Sequence, residues 1–137
     1  MLILKLIALL IGAFVLFLIM DRFNRFSRDE IGYEYFTHEH TIAMVIGYAL
    51  ILVGRVWSIG STNDPLNGII VMLIGIAIIA MVIKNNFNKT PRLYAIAGSL
   101  MQIVIYIPVT FLIIPIAIML FGFLSQIKPV YTINARD

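Results

Sequence analysis

LYAIAGSLMQIVIYIPVTFLIIPIAIMLFGFL, residues 93–124, is the stretch that decides the fold. Its 32 positions hold no charged side chain. A helix crossing a bilayer needs about 20 apolar residues to span roughly 30 Å of hydrocarbon. At about 1.5 Å per residue, 32 residues reach about 48 Å. The stretch has no polar turn that would fold it into two crossings. It reads as one long helix that starts at the interface and crosses from about Ile103 to Leu124. Thr90-Pro91 gives a start signal, because Thr caps helices and Pro suits the first helical position. Pro108 and Pro115 each remove a backbone donor and crowd the preceding turn, so a kinked helix is expected.

Three shorter apolar runs precede it, at about Leu2–Met20, Thr41–Ile59 and Leu66–Ile83. The expected fold is therefore all-α: one membrane domain over residues 1–137, a four-transmembrane-helix bundle with a long proline-kinked fourth helix. The composition agrees. The chain is 61% hydrophobic and 12% charged, with mean hydropathy +1.01. A soluble domain is nearer half apolar and a quarter charged, so the excess must face lipid or another protein. Lys5 lies near the end of the first run and can snorkel to the headgroups. That run leads directly into Asp21-Arg22, without the small-residue cleavage site of a signal peptide, and reads as an uncleaved span.

With four crossings, the first and third connections share one side. That side holds Arg22, Arg25, Arg28, Lys84, Lys89 and Arg92, and the other holds Lys5, Arg55, Lys128 and Arg136. The positive-inside rule puts loops 21–40 and 84–92 in the cytoplasm and both termini outside, in a plasma membrane of the bacterial inner-membrane kind. The net charge of +3 reflects these flanking cations and does not point to nucleic acid. Within the first loop, Ser27-x-x-Glu30 reads as a capping box, starting a short helix at Arg28 or an extension of the second span. The surrounding aromatic residues fit a headgroup-level belt.

The fourth span has one patterned face. Ala95, Ser99, Gln102, Tyr106, Thr110 and Ala117 recur at three-, four- and seven-residue steps. Such a face either seals against neighbouring helices or lines a path for ions or small solutes, with Ser99, Gln102, Tyr106 and Thr110 as the lining. The second span offers Ala43, Gly47 and Gly54 on one face, and the third offers Gly68 and Gly75, matching surfaces for close packing. Arg55 lies inside the second span beside Trp57. Asp64 is its partner candidate, and Tyr48 shares its face. An outward-snorkelling anchor and an anion contact both fit. Glu34, His38, Glu39 and His40 cluster before the second span. Glu34 and His38 have the four-residue spacing of helical metal ligands, but no third ligand is evident, so no metal and no cofactor is expected.

No span contains Asp, Glu or His, the groups that ion-coupled transport ordinarily places in the membrane. No phosphate loop, HExxH pattern or Ser/His/Asp arrangement is present, and there is no Cys. Asn88-Lys89-Thr90 matches a glycosylation acceptor, but it falls on the expected cytoplasmic side and reads as a chance match. The expectation is a non-enzymatic membrane subunit or accessory factor, working through helix contacts in a homo-oligomer or with other membrane subunits. The alternative is an oligomeric channel or small-solute transporter lined by the polar face of the fourth span.

Overall fold

The computed structural model describes residues 1–60 and 65–127. It holds four helices: α1 (Leu2–Ile31), α2 (His38–Gly60), α3 (Pro65–Lys89) and α4 (Arg92–Gln126). Each is long and apolar enough to cross a membrane. In hydrocarbon the backbone must satisfy its own polar groups, and a helix does so within one segment.

The helices outrun the apolar stretches that announced them. α1 passes Asp21 without a break and stops at Gly32, whose φ of 67° places it in the left-handed region. The Gly32 N–H donates to the Arg28 carbonyl at 2.9 Å, closing the helix. The expected capping box does not form. Ser27 is buried inside α1, and its hydroxyl donates to the Asn24 carbonyl at 3.1 Å. The start signal for α2 is Thr37 instead, whose Oγ1 accepts from the His40 N–H at 3.2 Å. α3 likewise runs past Lys84 to Lys89, so the expected loop 84–92 contracts to Thr90-Pro91. Thr90 does not cap α4: the N-cap residue is Pro91, with no side-chain cap. α4 is one uninterrupted helix with both Pro108 and Pro115 inside it.

α2 and α3 form an antiparallel pair with the densest backbone contact in the chain. Gly47 and Gly54 of α2 face Gly75 and Gly68 of α3. A Cβ added at Gly75 would lie 2.5 Å from the Gly47 carbonyl oxygen, and one at Gly54 would lie 2.5 Å from that of Gly68. Backbone meets backbone here, so the contact depends on absent side chains. Ala43 continues this face half-buried, packed against the core. At Gly68 all three nearest atoms to an added Cβ are α2 backbone. Gly68→Ala is expected to destabilise the pair by about 1–2 kcal/mol, overpacking offset in part by better helix propensity. Thermal melts in detergent followed by circular dichroism measure it. An unchanged midpoint would mean that the two helices do not approach this closely.

α4 lies against α2 and α3, and among the helices α1 touches only α4. In the most apolar window of α1 no residue is fully buried, though Leu16 packs half-buried against the core.

Candidate functional site

The connection between α1 and α2, residues 32–37, turns inward. Tyr35 is 0% exposed and Phe36 8%. Both are among the aromatics expected to face the headgroups, and instead they are buried within the protein at one end of the bundle. The seat for Tyr35 is Gly98 of α4, whose missing side chain leaves room for the phenol ring. Phe23 of α1 and Tyr33 flank the ring, with centroids 5.7 and 5.0 Å away. Phe36 packs between Phe23 and Tyr106, at 5.9 and 5.6 Å. Asn24 fixes the loop from α1. Its Nδ2 donates to the Phe36 carbonyl at 2.7 Å, and its Oδ1 accepts the Phe36 N–H at 2.8 Å. Asn24→Ala removes both bonds and is expected to cost about 1–2 kcal/mol. Faster proteolysis within residues 32–37 would register it, and an unchanged rate would exclude this clamp.

A buried polar network holds this loop from below. The Gln102 amide donates from Nε2 to the Tyr35 carbonyl and accepts at Oε1 from Asn86 Nδ2, each at 2.5 Å. Asn86 Nδ2 also donates to Ser99 Oγ at 3.1 Å, and Asn86 Oδ1 accepts the Tyr33 hydroxyl at 2.9 Å. The Tyr35 hydroxyl donates to Thr90 Oγ1 at 3.2 Å, and Thr90 Oγ1 donates to the Asn86 carbonyl at 2.7 Å.

His40 completes the network. Its Nδ1 lies 2.8 Å from the Tyr35 carbonyl oxygen. A carbonyl only accepts, so Nδ1 carries the proton in this arrangement. Nε2 is then free to accept from Asn85 Nδ2 at 3.2 Å. The Tyr35 carbonyl thus receives two donors, one from α2 and one from α4. Burial pushes the Tyr33 phenol above its ordinary pKa, with Tyr35 beside it adding to the rise. Burial pushes Tyr35 up as well, against the opposing effect of its hydrogen bond with Thr90. Both phenols remain neutral donors, as the network uses them.

The patterned face of α4 lies in this seam. Ala95, Ser99, Gln102, Tyr106 and Thr110 are all buried, while Ala117 is exposed and lies beyond its end. Below Gln102, the Tyr106 hydroxyl pairs with Thr41 Oγ1 at 2.7 Å, and Thr110 Oγ1 donates to the Tyr106 carbonyl at 2.6 Å. Tyr48 donates to the Ile103 carbonyl at 2.9 Å, so it serves α4. Arg55 stands exposed near the end of α2 with Trp57. Its partner candidate Asp64 lies outside the described residues. Glu34 is in the loop, before α2 begins, and pairs with Arg28 at 2.8 Å. It therefore shares no helical face with His38. Among the described residues, no group of three His, Cys, Asp or Glu side chains could hold a metal ion.

Asn85, Asn86 and Gly98 were not singled out from the sequence, where Thr90 read only as a helix cap and Tyr35 only as a headgroup-belt aromatic. A signal for Asn86 existed: Gly68, Gly75, Val82 and Asn86 follow one another at seven-, seven- and four-residue steps, a single helical face. All four are buried.

No protein-family model matches the chain, and neither a curated protein nor a solved structure shows significant similarity to it.

Proposed function

We propose that this chain is a non-enzymatic membrane subunit or accessory factor that assembles with itself or with other membrane proteins through its helices. The observation that carries this reading is the closure of the polar face of α4. Among the described residues, every buried side-chain nitrogen or oxygen has a hydrogen-bond partner within the chain. A path for ions or solutes needs polar groups turned toward a lumen, whereas Gln102 bonds the loop and Asn86, Tyr106 bonds Thr41 of α2, and Thr110 bonds its own helix backbone. What the chain presents outward is apolar helix, suited to lipid and to helix partners.

The proposed setting is a bacterial inner membrane, with the basic connection side cytoplasmic and both termini outside. A bend of α4 at Pro108 and Pro115 would carry its second half away from α2. Beyond Thr110, α4 is largely exposed, and a groove of about 440 Å3 separates Pro115 from α2.

Native-detergent mass measurement tests the reading, paired with flux assays in liposomes. The expected result is a defined oligomer or a complex with other membrane subunits, without ion flux. Ion flux that Gln102→Leu abolishes while leaving assembly intact would overturn it in favour of the channel.

A further inference from the structure

We propose that the crevice between α1 and α4 is a binding site for one anionic phospholipid, its acyl chain lying along α1 and its phosphate on Arg22 and Arg25. α1 stands off from the bundle and leaves a groove of about 840 Å3 against α4. Val15, Leu18 and Ile19 form its depth, Met101 of α4 faces them, and Asp21, Arg22 and Arg25 form its mouth. A second groove of about 740 Å3 continues from Val15 toward Leu9.

The dimensions match a lipid. From Leu9, in the second groove, to Met20, where the apolar run ends, is eleven residues of helix, about 16 Å. One leaflet's share of a roughly 30 Å hydrocarbon core is the same depth. The cations therefore fall at headgroup level when the apolar walls fall beside the chain.

The charge matches an anion. Arg25 is paired with Asp21 at 3.0 Å, an exposed pair of little strength. Arg22 is exposed and makes no ion pair with a described residue. A guanidinium binds phosphate bidentately and is suited to this position.

The walls favour a chain over a helix. Helices that pack closely in lipid do so through small residues, as Gly54 and Gly68 do. The groove beside Arg22 and Arg25 has instead Val15, Leu18, Ile19, Phe23, Phe26 and Met101 as its apolar lining, bulky side chains that hold another helix off but admit a single hydrocarbon chain; small residues, Gly12 and Ala13, enter only in its continuation toward Leu9. This inference requires membrane insertion and is independent of the subunit reading.

The full-length chain in bilayers tests it, with Trp57→Phe removing the native indole and Met101→Trp placing a reporter in the groove. The probes are brominated phosphatidylglycerol and brominated phosphatidylcholine, each a minor component of phosphatidylcholine bilayers. Leu120→Trp, on an exposed part of α4, serves as the bulk-lipid reference and reports insertion. The expected result is preferential quenching by the anionic probe at Met101→Trp and equal quenching at Leu120→Trp. Arg22→Gln is expected to lower the preference about fivefold, and Arg22→Gln with Arg25→Gln to abolish it. Phe26→Trp provides a second groove reporter should Met101→Trp disturb packing. Equal quenching by both probes in the groove would reduce the site to ordinary lipid contact and overturn the proposal. Quenching by neither, with Leu120→Trp still quenched, would show a protein surface filling the crevice and overturn it too.

Discussion

Gly98→Leu is expected to expel the first loop while leaving the four helices in place. The Tyr35 ring occupies the space that any side chain at residue 98 would need. Tyr35 is fully buried and held at both its hydroxyl and its carbonyl, so it has no nearby alternative rotamer. The ring must leave, and with it go the contacts to Phe23 and Tyr33 and the bonds to Gln102 and His40. Losing that packing together with the polar bonds is expected to cost about 3–4 kcal/mol. Cleavage within residues 32–37 should accelerate by two orders of magnitude or more, about tenfold for each 1.4 kcal/mol. Helical content by circular dichroism should be unchanged. Tyr35→Ala in the same chain relieves the clash, so the double variant should be less damaged than the sum of the two single ones. Strictly additive effects would place the Tyr35 ring elsewhere.

Gln102→Leu is the second large effect. Leucine nearly preserves the volume but strips one donor from the Tyr35 carbonyl and the acceptor from Asn86. Each of those partners keeps a second bond, to His40 and Ser99 respectively, which limits the loss to about 2 kcal/mol. Gln102→Glu should be worse at neutral pH, although it is closer in shape. A carboxylate turns oxygen toward the Tyr35 carbonyl oxygen, where the native amide presents N–H. Thermal melts in detergent rank the three proteins. If glutamate were tolerated better than leucine, the assigned direction of the Gln102–Tyr35 bond would be wrong. A cycle with Asn86→Leu isolates the side-chain pair and should show coupling.

The four helices were legible because hydropathy and length report directly on the cost of placing residues in hydrocarbon. The C-terminal ends of α1 and α3 were not. Lys84 ends the apolar run at Ile83, but a charge ends only the lipid-compatible part of a helix, and α3 continues through Asn85 and Asn86. Asp21 misleads in the same way on α1. Ser27 and Glu30 have capping-box spacing, yet Ser27 is in mid-helix, where its hydroxyl bonds back to Asn24. The patterned face of α4 was readable as far as Thr110, because small and polar residues stand out among Leu and Ile. Its use was not readable: the same residues suit a lumen or a seam, and only the position of the loop separates the two. Tyr35 and Phe36 were hidden among aromatics that fit a headgroup belt equally well. Gly98 was hidden because one glycine on a long apolar helix has no distinctive spacing.

The joint between Tyr35 and Gln102 also sets an order of events during synthesis. The two residues are 67 positions apart, and Gln102 lies on the last helix to be made. At roughly 5–20 residues per second, Tyr35 emerges about 3–13 s before the residue that will hold it. α1, whose only helix contact is with α4, waits through the same interval. The nascent chain therefore keeps an unattached first helix and an unseated aromatic loop throughout, and for about the last 1–3 s of that interval α2 and α3 are both complete beside them. That interval is when a chaperone, an insertase or a partner subunit has open access to surfaces that the finished protein conceals.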